Sequence, residues 1–533
     1  MRMTFTSYVP GSESHGALYS GKRTIAALLG FLFIFSSCSP KYSETKPLEV
    51  QNEPVRLLIL HTNDMHAQYI PLPAFWVEGD DKPLIGGFAA MDAYIDRERA
   101  KGLPTLLMDA GDLMTGTPIS DVVHKGVMGG LLFDIMEDMG FDIMTLGNHE
   151  FDNGQENVYK FYEVAKFPII NANLRRDGKL ITPTAYEIIE IAGLKVGVIG
   201  LMTEQFFEVV LKSNIEGLEF VNSVEVTQEI VNKIDPLTDL IVLLTHAGVD
   251  EDKRWAREIR GIDLIIGGHQ HRRLTEPLVE NNVLIVQTGS RTANLGRIEV
   301  VVQGDTISEY SGGLIALWVD SIEIDPEVAA RMNDYENSIL EVYGDTIAIV
   351  KENLVGSNVG ESNVGSWVAS IIKEATEADI GIMNSGGIRK SVSAGPMRKL
   401  DIIEMLPFNN TLTTFELSGR ELLELLQFSA NIAAITGGQE LQFSGLSYGY
   451  RVIENGAELV DPRVGGEEID PDRIYKLGTI DFILFSQADT YFGFVPSNGK
   501  DLTVLLSQVV INYCLNEKVI DAKITGAIIR LEE

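Results

Sequence analysis

The chain has 533 residues, 45% of them hydrophobic, with 76 acidic and 43 basic side chains and a formal net charge of −33. This length exceeds what one hydrophobic core usually organises, so we expect two domains with additional segments. The acidic surface repels polyanions, which argues against DNA and RNA polymers as partners. Small phosphorylated substrates stay compatible with this charge, because bound metal ions reverse the field locally.

The N-terminal segment is predicted to be an export signal. A basic pair at residues 22–23 precedes an apolar run at 24–35 that is too short to span a bilayer comfortably. We interpret residues 1–37 as a signal peptide, and Cys38 resembles the lipidated cysteine of a bacterial lipobox. Residues 38–53 then form a polar tether. The alternative is an uncleaved anchor; in either case the rest of the chain is exported.

From residue 54 to residue 320, short apolar runs alternate with helical patterns. Helices are predicted at 87–99, 128–139 and 224–233. Strands are predicted at the apolar runs that begin at Leu57, Thr105, Asp142, Lys195, Asp239 and Asp263. This alternation predicts an α/β fold. In such folds, functional sites gather at the carboxyl ends of the strands.

The pattern then changes. A charged stretch at 321–346 predicts an exposed helix that links two domains. The second domain, residues 347–533, carries predicted helices at 364–375 and 418–431 and a strand and turn at 380–389. We expect a smaller domain of mixed α and β structure.

Polar side chains follow the ends of the predicted strands. Asp64 and His66 come directly after the first strand, and an oxygen ligand beside a nitrogen ligand suits a divalent cation. Either residue alone also fits a structural turn. A larger set is hard to explain as packing, since each member would bring an unsatisfied polar group into one crevice. That set is Asp64, His66, Asp112, Asn148, His149, His246, His269 and His271.

These residues lie in recognisable motifs. The motifs Asp64-x-His66, Gly111-Asp112, Gly147-Asn148-His149-Glu150, Thr245-His246 and Gly268-His269-x-His271 resemble the signatures of calcineurin-like metallophosphatases. With Asn384-Ser-Gly-Gly-Ile-Arg389, they resemble the bacterial two-domain 5′-nucleotidases. The resemblance covers the chain after Glu53. It implies a four-layered α/β/β/α metallophosphatase domain joined to a smaller mixed α/β substrate-binding domain.

The resemblance also implies two divalent metal ions, of the Zn, Mn, Co or Mg kind. One ion would take Asp64, His66, Asp112 and His271, and the other would take Asp112, Asn148, His246 and His269. Asp112 would bridge the pair, because one carboxylate has two oxygens and enough charge for both cations. His271 is a departure, since many 5′-nucleotidases carry glutamine or asparagine at that place.

His149 and Asp152 are the predicted catalytic pair. Metal ions polarise the phosphoryl oxygens and make a bound water acidic enough to attack near neutral pH. Asp152 lies three residues after His149, where it can orient the imidazole and favour its protonated form. The protonated ring would then stabilise charge on the phosphoryl group or the leaving oxygen. The alternative role for His149 is a third metal ligand.

In the family, the second domain binds the nucleoside and then rotates to bring it to the metals. The residues that match the family pattern here are Asn363, Arg389, Phe408, Asn410, Phe482 and Asp489. Two family features are missing. Residues 354–360 contain no arginine, and the Gly-Gly-Asp-Gly turn has become Gln487-Ala-Asp489-Thr-Tyr491, one residue further from Phe482. A local alternative for Phe408 is a buried core aromatic.

We therefore expect an exported, lipid-anchored phosphohydrolase that removes phosphate from nucleotides and is monomeric. It would be a periplasmic or cell-surface lipoprotein of a bacterial envelope, attached to the membrane through Cys38. The nearest alternatives are a 2′,3′-cyclic nucleotide phosphodiesterase or a nucleotide-sugar hydrolase on the same site. A non-catalytic ligand-binding lipoprotein is the alternative from another class, and the intact ligand set argues against it.

Overall fold

The computed structural model describes residues 53–74, 76–77 and 82–531. The predicted signal peptide, Cys38 and all of the tether except Glu53 lie outside the described residues. Within the described part of the chain, no helix is long and apolar enough to cross a membrane.

Two six-stranded sheets form the centre of the first domain. The first sheet has the order Ile307–Ala316, Asn294–Val302, Val55–Thr62, Thr105–Asp109, Ile143–Thr145 and Ile169–Ile170. The second has the order Tyr186–Ile191, Leu194–Met202, Leu240–His246, Leu264–Ile266, Val283–Val286 and Leu278–Glu280. In each sheet four consecutive strands are parallel, and each remaining strand is antiparallel to the strand with which it pairs. The parallel strands therefore present their carboxyl ends at one edge.

The alternation of side chains along the first strand defines the layers. Leu57 and Ile59 pack into a core shared with the second sheet, whereas Leu58 and Leu60 pack against helices on the opposite face. Those helices are Phe88–Arg99, Gly130–Asp138 and Gln155–Val164. Ser223–Ile234 and Val249–Glu258 cover the outer face of the second sheet. The predicted four-layered α/β/β/α domain is confirmed, although the sequence patterns did not predict the helices at 155–164 and 249–258.

The second domain is a mixed α/β structure, as predicted. Its main sheet has the order Leu441–Ser444, Ile380–Asn384, Ile474–Ile480, Thr411–Ser418 and Lys500–Leu505. A three-stranded sheet has the order Gly395–Arg398, Thr346–Val350 and Val519–Ile520. A four-stranded sheet has the order Glu467–Glu468, Gly456–Val464, Leu446–Ile453 and Ile528–Leu531. The helices are Asn363–Ala375, Lys399–Met405, Gly419–Thr436, Ala488–Phe492 and Leu506–Glu517.

The connecting stretch contains the helix Pro326–Tyr343. Asp325 caps it by accepting a hydrogen bond from the backbone N–H of Glu327, and Pro326 occupies the first turn. The helix packs on the first domain through Met332 and Ile339, which are buried in its core. Glu336 on the same helix also accepts a hydrogen bond from the Tyr69 hydroxyl.

Candidate active site

Five parallel strands deliver the eight predicted polar residues to one edge of the first domain. Asp64 and His66 follow Val55–Thr62, Asp112 follows Thr105–Asp109, and His246 ends Leu240–His246. Asn148 and His149 lie on the 3₁₀ turn Asn148–Phe151, just past Ile143–Thr145, and His269 and His271 follow Leu264–Ile266. The structure therefore brings together every candidate ligand that the sequence singles out.

One group forms around Asp64. Its Oδ1 lies 3.3 Å from Nε2 of His271 and 4.0 Å from Nε2 of His66. The two Nε2 atoms are themselves 3.0 Å apart. The other carboxylate oxygen, Oδ2, accepts a hydrogen bond from the backbone N–H of His269 at 2.9 Å, which fixes the carboxylate. These three side chains form a compact set of possible metal ligands.

A second group forms around Asp112. Its Oδ2 lies 3.1 Å from Nε2 of His246, a fully buried atom that has no hydrogen-bond partner among the described residues. Oδ1 accepts a hydrogen bond from the backbone N–H of His149 at 2.8 Å. Beside this group, Nδ1 of His269 lies 2.9 Å from Oδ1 of Asn148. Asp112 belongs to two of the three possible ligand groups in the described residues.

The orientation of the imidazoles fits a metal centre. Nδ1 of His66 lies 3.0 Å from the carbonyl oxygen of Thr115, and Nδ1 of His246 lies 2.8 Å from that of Ala110. When Nδ1–H donates to a carbonyl, Nε2 keeps its lone pair, which here faces the carboxylates. Carboxylate oxygens and imidazole nitrogens together suit zinc, manganese, cobalt and related divalent cations. The residues present therefore fit the group that the sequence predicts.

The backbone at the site is strained. Five candidate ligands have positive φ angles, which side chains other than glycine rarely adopt: Asp64 at 50°, His66 at 49°, Asp112 at 59°, His269 at 80° and His271 at 53°. Each such conformation lowers the stability of the fold by on the order of 1 kcal/mol or more, and residues in these conformations cluster at functional sites. The neighbouring glycines allow the close approach, since a Cβ on Gly147 would lie 2.2 Å from Oδ1 of Asp112.

Burial and mutual charge shift the titration of these groups. Burial alone would raise the pKa of Asp112, but His246 and His149 outweigh it and hold that pKa well below its ordinary value. Burial opposes the charged form of His246, yet Asp112 raises the pKa of this imidazole to about 10. Burial and then the neighbouring His246 lower the pKa of His269 to about 4. Asp112 is therefore held in its ionised form, and a cation that binds here would displace the proton from Nε2 of His246.

His149 and Asp152 form the predicted pair. Nδ1 of His149 lies 2.7 Å from Oδ2 of Asp152, which also accepts a hydrogen bond from the Thr115 hydroxyl at 2.7 Å. Nε2 of His149 lies 3.9 Å from Oδ2 of Asp112. Burial lowers the pKa of His149, but Asp152 and Asp112 together raise it above its ordinary value. The geometry therefore favours a protonated imidazole that faces the cluster.

The Glu150 side chain bonds to the backbone of two turns at the site. Its carboxylate accepts hydrogen bonds from the backbone N–H groups of Asp112 at 3.0 Å, Leu113 at 2.8 Å and Gly147 at 2.5 Å. These bonds tie the turn after one strand to the turn after the next. Glu150 therefore shapes the loops that carry Asp112 and Asn148.

A cavity of about 580 Å³ joins the cluster to the second domain. Its lining from the first domain includes Asp112, Asn148, His149, Asp152, His269 and His271. Its lining from the second domain includes four of the six predicted substrate residues, namely Arg389, Phe408, Asn410 and Phe482. Nη2 of Arg389 lies 3.3 Å from Nε2 of His66, and the Phe408 ring stacks near that of His149 with centroids 5.6 Å apart. The volume suits a small-molecule ligand.

Two predicted substrate residues lie outside this cavity. The side-chain oxygen of Asn363 accepts a hydrogen bond from the backbone N–H of Val355 at 2.8 Å. Its Nδ2 donates to the backbone carbonyl of Asn353 at 2.8 Å. Asp489 is the second residue of the helix Ala488–Phe492 and is exposed. Neither residue is among those that line this cavity, and their contact with substrate stays a prediction.

A π-helix explains the position of Asp489. Residues Phe482–Ser486 form this wider turn, which accommodates the one additional residue after Phe482. Gln487, Thr490 and Tyr491 consequently line the cavity instead. Sequence patterns did not single out Asn384, Glu440 or Tyr491 as cavity residues. Asn384 begins the motif that ends at Arg389, and Tyr491 ends the turn that departs from the family pattern, whereas no sequence signal indicated Glu440.

The fold, the ligand cluster and the shared cavity define a phosphoesterase of the metal-dependent class. Residues 57–273 match the family model described as calcineurin-like phosphoesterase, and residues 345–495 match 5′-nucleotidase, C-terminal domain. The first domain therefore belongs to the calcineurin-like phosphoesterases and the second to the 5′-nucleotidase C-terminal domains, and the chain is a hydrolase that acts on phosphate esters.

Individual relatives carry different activities in their names. An endonuclease of Bacillus subtilis is 26% identical over 490 residues, which are 85% of this chain and 39% of that protein. An apyrase of Tabanus yao is 26% identical over 539 residues, covering 91% of this chain and 96% of the apyrase. The crystal structure of a 5′-nucleotidase precursor from Thermus thermophilus has a TM-score of 0.80 and 27% identity, covering 90% of this chain and all of that one.

Proposed function

We propose that this protein hydrolyses the phosphate of nucleotides at a two-metal centre, as a lipoprotein exported across a bacterial membrane. The observation that carries the proposal is the cavity in which Arg389 and Phe408 of the second domain lie beside His149 of the first, with Arg389 also 3.3 Å from Nε2 of His66. A phosphoryl group and an aromatic base joined by a sugar are the parts of one molecule that such a cavity accommodates.

The proposed centre uses the ligands in two sets. Asp64, His66 and His271 would hold one ion, Asn148, His246 and His269 the other, and Asp112 would contact both. When bound, two divalent cations polarise the phosphoryl oxygens and lower the pKa of a water.

The protein's own groups complete the reaction. Arg389 offers guanidinium donors to the phosphoryl oxygens. His149, held by Asp152 at 2.7 Å, would place its Nε2 proton near the phosphoryl group or the leaving oxygen. Phe408 and Phe482 offer two aromatic walls, on which a base can stack regardless of its identity.

The leaving group distinguishes this proposal from a general phosphatase. The experiment identifies and quantifies the products that the full-length chain in detergent forms with Mn, Zn, Co or Mg from nucleoside monophosphates, nucleoside diphosphates, 2′,3′-cyclic nucleotides, a nucleotide sugar and a small aryl phosphate. Monophosphates, diphosphates and the aryl ester release inorganic phosphate, whereas the cyclic compounds and the nucleotide sugar yield a nucleoside monophosphate. We expect the highest kcat/KM with a nucleotide. An aryl phosphate that equals or exceeds every nucleotide would contradict the nucleotide assignment, and a preference for the cyclic compounds would favour the phosphodiesterase.

A further inference from the structure

The wall of the cavity at the second domain is rich in hydrogen-bond acceptors. Asn384 ends the strand Ile380–Asn384 and is only 4% exposed. Its Nδ2 donates to the hydroxyl oxygen of Tyr491 at 3.2 Å. Its Oδ1 has no hydrogen-bond partner in the described part of the chain. A buried acceptor that lines a cavity without a partner is costly unless a ligand or water donates to it.

Glu440 adds a charged acceptor to the same wall. It precedes the strand Leu441–Ser444, whose Leu441 pairs with Asn384, and its backbone carbonyl accepts a hydrogen bond from the N–H of Ser385 at 2.7 Å. The Glu440 side chain lines the cavity together with Asn384 and Tyr491. Among the described residues, none donates a hydrogen bond to its carboxylate or forms an ion pair with it.

The electrostatics agree with this placement. Burial raises the pKa of Glu440 above its ordinary value. The pKa of Tyr491 is raised to about 12, first by burial and also by the nearby Glu440 carboxylate. Glu440 is therefore close enough to Tyr491 to affect its titration, and both residues line the same cavity. Phe482 closes this part of the cavity, with its ring 6.4 Å from that of Tyr491.

The aromatic rings lie where a base would stack under the proposed function, on which this inference rests. We infer that Glu440, beside Asn384, selects bases that present an exocyclic amino group over bases that present a carbonyl at the same place. An amino group donates to a carboxylate, whereas a carbonyl oxygen would face two acceptors without a proton between them. Stacking alone tolerates every base, so the discrimination falls to these acceptors.

The test compares nucleotide pairs that differ at that group: AMP with IMP, and CMP with UMP. Using the full-length chain in detergent, we expect kcat/KM to favour the amino member by about tenfold, below the discrimination of fully buried sites because Glu440 is exposed. Glu440→Gln should reduce the ratio by about three- to fivefold, since a neutral acceptor remains. Glu440→Lys should bring it below one, because lysine donates to a carbonyl.

The ratio is measured within each variant, so partial unfolding or metal loss cancels from it. Glu424→Gln removes one exposed carboxylate from the helix Gly419–Thr436, outside the cavity lining, and should leave the ratio unchanged. Equal kcat/KM for both members in the unsubstituted protein, or the same ratio in all Glu440 variants, would overturn the inference alone. Failure to hydrolyse any nucleotide, with an aryl phosphate cleaved, would overturn the proposed function as well.

Discussion

Asp112 belongs to one possible ligand group with His66 and to another with Asp64 and His246, so in the proposed metal centre it is the ligand that both ions share. We expect Asp112→Ala to abolish phosphate release and to lower the metal content below one ion per chain, because neither ion keeps a full ligand set. Elemental analysis of the purified variant measures this. Asp472→Ala, on the exposed surface, is the control; normal metal content in Asp112→Ala would contradict the bridging role.

His149 acts, in the proposed mechanism, on the substrate rather than on the metals. His149→Ala should keep both ions and lose about 10²–10⁴-fold in kcat, the range typical of a positioned acid or charge stabiliser. Asp152→Asn should show a smaller loss in the same direction, since the amide can still hold the ring. Loss of metal from His149→Ala, measured on the same sample as the rate, would make it a ligand instead.

The residue types at the site were predictable, but their backbone conformations were not. Asp64 and His66 are recognisable as candidate ligands because a carboxylate and an imidazole close together at a strand end suit a divalent cation. Nothing in their spacing indicates φ angles of 50° and 49°. Such conformations are maintained by tertiary contacts, here including the hydrogen bond from the N–H of His66 to the carbonyl of Asp112. Local sequence carries no record of those contacts.

The turn after the strand Leu264–Ile266 contains Gly268 and the candidate ligands His269 and His271. Gly268 has no room for a side chain. A Cβ on Gly268 would lie 2.8 Å from Nδ1 of His246 and 2.9 Å from the carbonyl oxygen of Ala110, the pair whose hydrogen bond orients His246. Gly268→Ala should therefore weaken metal affinity by about 10–100-fold, as loss of such an outer partner does. Metal titration of the stripped protein measures the effect.

Gly360→Ala is the matched control, because a Cβ at that position meets nothing within 4 Å. It should leave metal affinity unchanged. Equal affinity in both variants would mean that the turn around Gly268 adapts, and that the contact between His246 and Ala110 does not orient the ligand.

The π-helix Phe482–Ser486 and the loop around Phe408 form the proposed base-binding element. The guanidinium of Arg389 lies 5.8 Å from the centre of the Phe408 ring. Phe408→Ala should raise KM for a nucleotide by about tenfold or more, because base stacking contributes about 1–3 kcal/mol. The loss for a small aryl phosphate should be much smaller. Equal losses on both substrates would mean that Phe408 does not contact the base, and would remove the proposed clamp.

Element boundaries followed the sequence where apolar periodicity was strong and failed where it was interrupted. The helix predicted at 87–99 is Phe88–Arg99, and that predicted at 364–375 is Asn363–Ala375. The one-residue insertion after Phe482 was visible as a spacing change, but a widened turn, a bulge or a longer loop absorbs one residue equally well. Only the three-dimensional structure shows the π-helix, and with it the outward position of Asp489.

At the scale of the whole molecule, the two domains meet at Arg291. Its backbone N–H donates to the carbonyl of Asp64 at 2.8 Å, and its Nη2 donates to the carbonyl of Arg389. A first-domain loop that holds a candidate metal ligand thus also holds the arginine of the second domain. Sequence alone could not pair these residues, because they lie in different domains and the contact depends on how the domains pack.

Membrane attachment is a separate prediction for the whole chain. Cys38→Ala should prevent incorporation of labelled lipid and release the protein in soluble form, because the thiol is the proposed acylation site. Fractionation of cells that express either form measures this. Retention of the variant in the membrane would instead favour an uncleaved N-terminal anchor, and Cys514→Ala, which alters a buried thiol, should behave as the unsubstituted protein.

The central claim is that metal binding at the strand-end cluster enables hydrolysis of nucleotides. Its most direct test is a titration of the metal-stripped full-length chain with Mn, in which bound metal by elemental analysis and phosphate release from AMP are measured on the same samples. We predict that phosphate release rises with occupancy and reaches its maximum at two ions per chain. Full release from AMP in the stripped protein, or two bound ions with no release from any nucleotide, would contradict the account.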